Sequence, residues 1–222
     1  MPDGPSGVER LLREGIVAGA RAAGPGCQPG RGQRAGLAVG QRRGGDLSGR
    51  PRIWCEFFSE LLSMVPFCLG ILVRRMFWER TLPSCGHKLC VHFGALLSFA
   101  GATIGNNVLI NRYTFVGLLD IVHNVMIANQ CTLLGGRYQH RADQAGVAMR
   151  EQGLESRHIR IGEHVWIGAD RVIMADAAEG NIVGAGAVVL DDVPRYSVAV
   201  AIPACAVGRR RYEICAWSEQ SG

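Results

Sequence analysis

The sequence is poor in lysine, in aromatic residues and in long apolar runs, and each shortage excludes a class of protein. Its 222 residues include one lysine, Lys88, against 23 arginines, and only 7% are aromatic. Surfaces that bind single-stranded nucleic acid interleave basic with aromatic side chains, so we expect no nucleic-acid partner. Residues 61–73 are apolar and carry no charge, but a membrane-spanning helix needs about 20 such residues.

The sequence also lacks any C-x-x-C pair, although it has eight cysteines. No apolar stretch follows the initial methionine, so we expect no secretion signal. We therefore expect free, mostly buried thiols in a reducing compartment and a cytoplasmic protein. Cys85 and Cys90 have the spacing of half a metal site, but no His/Cys pair completes it, and we expect no metal.

Charge and glycine divide the chain into zones. Residues 1–52 contain 13 glycines, nine arginines and four acidic residues, whereas the rest has 15 basic and 15 acidic residues. The first zone has too few large apolar side chains to offset its ordering entropy, so we expect a disordered Gly/Arg-rich tail. Residues 212–222 are expected to form a second tail.

Residues 53–83 are expected to form a helical lead-in. Residues 53–80 are mainly apolar, and Pro66 and Gly70 interrupt the run, which favours one or two amphipathic helices. Two arrangements are open. Their apolar face packs on the rest of the protein, the favoured alternative, or it makes a peripheral contact with the inner face of a membrane, with Arg74, Arg75 and Arg80 near the head groups.

From about residue 84, aliphatic residues recur every six positions. Eleven of them fall into four registers: Ile104, Ile110 and Val116; Ile121, Ile127 and Leu133; Ile161, Ile167 and Ile173; and Val183 and Val189. A period of six is neither helical nor the alternation of a half-buried strand, but it is typical of a parallel β-helix. We therefore predict an all-β domain over residues 84–211, in which the aliphatic side chains stack inside triangular coils.

Two interruptions are expected in this coil. Residues 134–160 have no six-residue register and are predicted to form an ejected loop, the kind of segment where function concentrates. Ile173 and Val183 lie ten residues apart rather than twelve, which predicts a coil two residues short at 174–182. The residues after Val189 are expected to cap the open end.

Several segments together resemble the left-handed β-helix acyltransferases, and in particular the sugar and polysaccharide O-acetyltransferases related to maltose and galactoside acetyltransferases. The segments are IGNNVLIN (104–111), VMIANQCT (125–132), RIGEHVWIGA (160–169), VGAGAVV (183–189) and DVPRYS (192–197). In the loop, His140 opens the sequence HRAD and REQG follows at 150–153. The resemblance covers about residues 55–211 and implies a left-handed coil and a homotrimer.

The resemblance further implies an acetyl-CoA-dependent O-acetyltransferase that acts on a sugar or a surface polysaccharide precursor, with no metal. His140 stands where such enzymes carry a general base, and Asp143 would hold its tautomer or its cation. An imidazole, with a reference pKa near 6.5, accepts a proton from an attacking hydroxyl at neutral pH, which typically contributes about 10²–10⁴-fold in rate.

Other site residues have weaker support. The resemblance makes Asn111 a candidate for contact with the acceptor, although a corner asparagine in a stacked ladder would explain it equally well. Arg137 and Tyr138 are candidates for the same contact by their position in the loop alone. Candidates for the cofactor groove are Trp166, Gly168, Ala169, Ala185, Gly186, Ala187, Arg209 and Arg210. The chain departs from its relatives at Asp191, where they carry a lysine, and at Cys205 and Gly208, where they carry arginine.

Two other functions are compatible with a β-helix. The short coil and the missing basic residues would suit a catalytically impaired or scaffolding protein. A zinc-dependent carbonic anhydrase would need three suitably spaced histidines, and only His140 with His123 or His158 could contribute. The remaining histidines, His87, His92 and His164, have no assigned role.

Overall fold

A computed structural model describes residues 52–98, 101–137, 140–153 and 157–210, with the backbone alone for residues 52 and 53. The expectations for the tail up to residue 51, for Tyr138 and for residues 212–222 lie outside the described residues. Among these residues two helices come first, α1 (Arg52–Ser63) and α2 (Phe67–Thr81). A single 3-10 turn, Met149–Glu151, lies in the loop. Sixteen short strands follow α2 in the order β1 (Ser84–Cys85), β2 (Cys90–Val91), β3 (Leu96–Leu97), β4 (Thr103–Ile104), β5 (Leu109–Ile110), β6 (Phe115–Val116), β7 (Leu119–Ile121), β8 (Met126–Ile127), β9 (Thr132–Leu133), β10 (Ile159–Ile161), β11 (Trp166–Ile167), β12 (Val172–Ile173), β13 (Ile182–Val183), β14 (Val188–Val189), β15 (Ser197–Val200) and β16 (Cys205–Arg209).

The strands form the three faces of a prism. Face A contains β1, β4, β7 and β10; face B contains β2, β5, β8, β11, β13 and β15; face C contains β3, β6, β9, β12 and β14. Neighbours within a face belong to successive coils and pair in parallel. Strand β16 returns antiparallel to β15 and closes face B at the C-terminal end. The predicted parallel β-helix is confirmed.

The interior of the prism is a stack of aliphatic side chains. All eleven residues of the predicted registers are at most 2% exposed. Successive coils bring like residues into register, as in the pairing of Ile110 with Ile127 and of Ile127 with Ile167. Each coil therefore buries the aliphatic layer of the next, which explains why a strand of two residues is stable here.

All irregularity in the coil lies at one of its three edges. The inward residues of faces A, B and C are six apart in each complete coil, as in Ile104, Ile110 and Val116. The passage from face C to face A varies, and it includes the 134–160 loop between β9 and β10. We call this edge the C–A corner and the other two the A–B and B–C corners.

The predicted short coil is located more closely by the same rule. Ala177 bridges in parallel to Ile161 and to Val193, so it is the inward residue of face A in that coil. Six residues separate Ala177 from Val183, and only four separate Ile173 from Ala177. The missing residues therefore come from the C–A corner, and the stacking of faces B and C continues unbroken.

The predicted domain, from residue 84, includes the first coil, but the sequence analysis identified neither the inward residues of that coil nor the way in which the corners turn. The first coil has Cys85, Val91 and Leu97 at the inward positions, and Val91 and Leu97 are fully buried. Residues three positions before the inward ones of faces B and C lie in the left-handed region. They are Lys88, Gly94, Asn107, Tyr113, Asn124, Gln130, His164, Asp170, Gly180, Gly186 and Tyr196. A side chain other than Gly, Asn or Asp costs about 1–2 kcal/mol in this conformation.

Replacing Gln130 by glycine is expected to raise the free energy of unfolding by up to about 1 kcal/mol. Gln130 is exposed with a φ of 58°, so glycine removes the strain, although the greater entropy of the unfolded chain offsets part of the gain. Chemical denaturation measures the change. The control is Arg112→Gly at the same corner. The φ of Arg112 is not positive, so this variant is expected to lose stability. Equal losses of stability for both variants would contradict the prediction.

The two helices cover the open end of the first coil. Trp78 and Leu82 are buried against Leu89 and Val91, and α1 and α2 contact the strands of the first coil, β1, β2 and β3. The buried Arg74 holds the turn between the helices: its Nε donates to the carbonyl of Val91 at 2.8 Å and its Nη1 to that of Leu62 at 2.8 Å. The expectation that Arg74 lies near lipid head groups is therefore wrong.

Most of the large apolar side chains of these helices and of the turn between them do not pack on the prism. Nine of them are between 40% and 87% exposed: Trp54, Phe57, Phe58, Leu61, Met64, Phe67, Leu69, Leu72 and Met76. The alternative in which the apolar face packs on the rest of the protein is therefore wrong for this set. Within the described residues, neither helix is both long enough and apolar enough to span a membrane.

The cysteines divide into two kinds. Cys55, Cys68, Cys85, Cys90 and Cys131 are free thiols, and burial raises the pKa of the Cys131 thiol. Cys205, in contrast, is disulfide-bonded. The expectation of free thiols is therefore wrong for Cys205.

Candidate active site

The ejected loop leaves the prism through a closed stem. The backbone N–H of Arg157 donates to the carbonyl of Gly135 at 2.8 Å, which joins the start of the loop to its end. A side chain at Gly135 would come within 3.1 Å of the Arg157 carbonyl, so glycine permits this approach. Further out, the Gln152 side chain bonds the backbone of Gln144 and of Val147 and stiffens the tip.

Ion pairs fasten both ends of the loop to the C–A corner. Arg137, at the start, pairs with Asp191 at 2.8 Å. Arg157, at the end, pairs with Asp176 at 3.1 Å and with Asp192 at 3.6 Å. These contacts cross from the third and fourth coils to the fifth and sixth. The loop is thus held at two points, and Asp191, which stands in place of a lysine of the relatives, has a structural partner.

His140 lies in the loop, and its side chain is exposed. The backbone N–H of its neighbour Arg141 donates to the carbonyl of Gly153 at 3.2 Å, so a backbone contact across the loop positions this segment. Asp143 is exposed in the same segment, and within the described part of the chain no hydrogen bond joins its carboxylate to the His140 ring. The roles of His140 and Asp143 stay predictions.

The small residues of the predicted cofactor groove gather at the B–C corner of the fourth and fifth coils. The N–H of Gly186 donates to the carbonyl of Ala169 at 3.2 Å, which stacks the two coils. Ala185 and Gly186 are exposed, and no atom lies within 4 Å of the position that a side chain of Gly186 would take. This corner can therefore admit the narrow arm of a ligand close to the backbone. Ala187 is different, because its side chain is buried in the core.

The space beside Gly168 on the core side is filled by the side chain of a buried arginine. A side chain at this position would meet Nη2 of Arg171. Arg171 is 1% exposed, and burial lowers its pKa to about 10. Its Nε donates to the carbonyl of Val183 at 3.3 Å and its Nη1 to that of Ala169, whereas the buried Nη2 has no partner.

The remaining cofactor candidates lie along face B. Trp166 is on β11 between Met126 and Ile182 of the neighbouring strands, and its ring is partly exposed. Arg209 pairs with Ser197 in the β16–β15 ladder, and Arg210 Nη1 donates to the carbonyl of His164 at 3.4 Å. The two arginines therefore lie at the A–B end of face B, across that face from Ala185 and Gly186.

Asn111 belongs to the stacked ladder of the B–C corner. Its side-chain Nδ2 and its backbone N–H both donate to the carbonyl of Ile127, at 2.9 Å and 3.0 Å. His123, at the A–B corner, accepts a hydrogen bond from the N–H of Asn106 at 2.8 Å. Both contacts are between coils and are explained by stacking alone.

The structure also reveals a histidine–carboxylate pair that the sequence analysis missed. His158 Nδ1 lies 3.2 Å from Asp120 Oδ2 on the outer side of face A, and Thr103 Oγ1 donates to the other oxygen of Asp120. A carboxylate that orients an imidazole is the arrangement by which general bases are held in the required tautomer. The residues are distant in sequence, and only the register of β4, β7 and β10 could have brought them together.

No cluster of three or more His, Cys, Asp or Glu side chains suited to a metal ion is present within residues 52–98, 101–137, 140–153 and 157–210.

Comparison with known proteins relates the chain to acetyltransferases. No family model matches it. Over 122 residues it is 30% identical to a probable acetyltransferase of Mycobacterium tuberculosis, a region that covers 54% of this chain and 39% of that protein. Over 112 residues it is 31% identical to the serine acetyltransferase of Escherichia coli, covering 49% and 36% respectively. The chain therefore spans about two fifths of the length of these relatives.

Solved structures share the fold at lower sequence identity. A maltose O-acetyltransferase from Clostridium difficile superposes with a TM-score of 0.63 at 21% identity, covering 72% of this chain and 86% of that one. A hexapeptide-repeat acetyltransferase from Vibrio cholerae gives 0.61 at 20% identity, with 74% and 95% covered. A galactoside acetyltransferase in complex with coenzyme A gives 0.51 at 21%, with 75% and 86% covered. The resemblance indicated by the sequence is confirmed: the chain has the β-helix fold of these structures, and its sequence is similar to those of acetyltransferases.

Proposed function

We propose that this chain is an acyltransferase that moves an acetyl group from acetyl-CoA to a hydroxyl of a sugar or a surface polysaccharide precursor. The observation that carries the proposal is the position of two features on one prism. A fastened loop presents the exposed His140 at the C–A corner, and small exposed residues leave the B–C corner open. The acetyltransferases of the same fold, one of them bound to coenzyme A, support the donor.

In this proposal His140 acts as the general base. Its free ring nitrogen accepts the proton of the acceptor hydroxyl while the hydroxyl oxygen attacks the thioester carbonyl carbon. The new carbon–oxygen bond forms as the carbon–sulfur bond breaks, and the imidazolium returns its proton to the leaving sulfur. A backbone N–H of the coil would stabilise the developing oxyanion. Because the thioester is already activated, the step needs neither a metal nor a covalent enzyme intermediate.

The same arrangement argues for a homotrimer. The C–A and B–C corners lie at opposite edges of face C, so one copy does not bring His140 to its own open corner. A neighbouring copy packed beside the prism could place its loop over that corner, and a closed threefold ring would complete three equal sites. We propose a cytoplasmic location, which suits an acetyl-CoA-dependent reaction.

Binding of acetyl-CoA separates this function from that of a scaffolding or catalytically impaired protein. Isothermal titration calorimetry with acetyl-CoA is expected to detect binding, and acetyl-CoA consumption across a panel of nucleotide sugars and glycans is expected to identify the acceptor. No binding at millimolar acetyl-CoA would favour the scaffold.

The variant Ala185→Trp is expected to weaken acetyl-CoA binding by at least about tenfold, or about 1.4 kcal/mol. Ala185 is exposed at the open B–C corner, where an indole would fill the space left by the small residues. The matched control is Arg195→Trp, an exposed position on another corner. If calorimetry gave the same affinity for both variants, the ligand would not lie at the B–C corner.

A further inference from the structure

We give the name helix stripe to the exposed large apolar residues of the two helices and of the turn between them. It consists of Trp54, Phe57, Phe58, Leu61, Met64, Phe67, Leu69, Leu72 and Met76. The rings of Trp54, Phe57 and Phe58 contact one another, with centroids 5.4–6.3 Å apart. Phe67 is 87% exposed. Single apolar residues scattered on a surface need no explanation, but nine large ones on two short helices in mutual contact and the turn between them indicate an interaction site.

Helix α1 is oriented opposite to an ordinary amphipathic surface helix. Trp54, Phe57, Phe58 and Leu61 follow the i, i+3, i+4, i+7 spacing of one apolar face, and such a face normally packs on the core. Here the side that packs on the prism holds Ser59 and Ser63, which are 5% and 4% exposed. Ser59 Oγ donates to the carbonyl of Leu97 at 3.2 Å. The apolar face is therefore not used for packing against the described residues, which indicates that it meets an apolar environment other than the prism.

The position of the helix stripe argues against a second copy as its occupant. Both helices cover the end of the first coil. An assembly that joins prisms side by side buries their faces and corners and leaves their ends exposed. In such an assembly the helix-covered ends of all copies point in the same direction, so their helix stripes can contact one flat surface.

The charge of the sequence that precedes the helices indicates the chemistry of the surface that the helix stripe contacts. Residues 1–51, directly before α1, contain eight arginines and four acidic residues, a net charge of +4. The helices add little positive charge, because Arg75 pairs with Glu79 and because the acidic Glu56 and Glu60 lie on α1. An apolar face rich in aromatic residues beside a basic segment matches the chemistry of an anionic bilayer surface.

We propose that the helix stripe docks this protein on an anionic membrane surface. The apolar side chains enter the head-group region, the preceding basic segment binds anionic lipids, and the prism points away from the bilayer. The argument against a second copy rests on the side-by-side assembly of the proposed function, but membrane docking is measured without an acyl donor or acceptor, so its failure is distinguishable from a failure of acetyl transfer.

Vesicle binding by the full-length protein tests the proposal. We expect co-sedimentation with phosphatidylcholine vesicles that contain phosphatidylglycerol and much weaker binding to phosphatidylcholine alone, with affinity falling as salt rises. The fluorescence of Trp54 is expected to shift to the blue on binding, and Trp54→Phe is expected to lose that shift while retaining binding. Equal binding to both vesicle types, or none to either, would overturn the proposal.

Two sets of substitutions separate the contributions. The triple variant Phe57→Ser, Leu61→Ser, Leu72→Ser is expected to weaken vesicle binding by more than about tenfold. The control is Val207→Ser, an exposed apolar residue on β16 at the other end of the prism, which should bind normally. Neutralising Arg42, Arg43 and Arg50 with glutamine should weaken binding by about fivefold per arginine.

The oligomeric state of the triple variant provides the last check. Analytical ultracentrifugation should find the same assembly for the wild type and for this variant. If the triple serine variant dissociated instead, the helix stripe would be an interface between copies of this chain, and the membrane proposal would be wrong. Circular dichroism confirms that the variant is folded, which is expected because the substituted side chains are exposed.

Discussion

Replacing His140 by alanine is expected to lower the rate of acetyl transfer by about 10²–10⁴-fold while the protein keeps its fold. The rate falls because the acceptor hydroxyl loses the group that accepts its proton. Stability should not change, because His140 is exposed on a loop outside the stacked core. The measurement is thiol release from acetyl-CoA with the acceptor that the panel selects, together with thermal unfolding of both proteins.

The matched control is His158→Ala, because His158 is also exposed and, unlike His140, already contacts a carboxylate. The Nδ1–Asp120 distance of 3.2 Å, with Thr103 holding the other carboxylate oxygen, gives His158 the orientation that a base requires. We expect this variant to retain its rate within a few-fold. If His158→Ala and Asp120→Asn both lost activity while His140→Ala did not, the base would be His158.

Replacing Arg171 by methionine is expected to raise the free energy of unfolding by about 1–4 kcal/mol. Arg171 occupies an inward position of the B–C corner where the other coils have Ala95, Thr114, Cys131 and Ala187, all small. Its guanidinium is buried and forms no ion pair among the described residues, and its Nη2 has no partner. Methionine has a similar length and removes the buried charge. Urea denaturation measures the change.

The pH dependence of stability gives an independent measure of the same charge. Burial lowers the pKa of Arg171 to about 10, well below the usual range of an arginine. Below pH 10 the side chain is charged in both states, and burial destabilises the wild type by a constant amount. Above about pH 10, and up to the ordinary pKa of an arginine, the unfolded chain binds more protons than the native protein, so wild-type stability gains from this group as pH rises. The advantage of Arg171→Met should therefore shrink above pH 10.

Arg74→Met is the control, with the opposite sign expected. Arg74 is equally buried and its Nη2 likewise has no partner, but its Nε and Nη1 donate to four carbonyls, those of Val91, Leu62, Ser63 and Val65, whereas Arg171 reaches only two. The last three lie at or just beyond the C-terminus of α1, where carbonyl groups lack helical partners and a cation is favourable. Its removal is expected to lower the free energy of unfolding by about 1–3 kcal/mol. If both variants lost stability, the carbonyl bonds of Arg171 would outweigh its desolvation.

The repeat could be predicted from the sequence because one physical requirement recurs at a fixed interval. Ile110, Ile127 and Ile167 lie inside the prism as their six-residue spacing indicates. The inward residues of the first coil were missed because its opening position carries Cys85, which does not resemble the aliphatic residues of later coils. Ala177 was missed for the same reason. The sequence analysis therefore placed the two missing residues anywhere in 174–182, whereas they are missing from the C–A corner.

The candidate site was less predictable because it depends on which coils become neighbours. The loop and His140 could be located from the break in the period. The pairing of Arg137 with Asp191 and of His158 with Asp120 joins residues 54 and 38 positions apart, and no local pattern specifies such contacts. The apolar face of the helices was expected to pack on the prism. An amphipathic pattern predicts that one face is apolar, but it does not predict whether that face meets the protein core or something outside it.

The confinement of every change of length to the C–A corner has a consequence for how this scaffold can be altered. Two corners are tied to a fixed residue count by strand register and by a left-handed residue in each turn, so an insertion there would displace all later layers. The third corner already accommodates passages of four, five, seven and 28 residues between inward positions. New peptide grafted between Ile173 and Ala177 should leave the layers above and below in place, which makes that edge a natural point of attachment for added recognition segments.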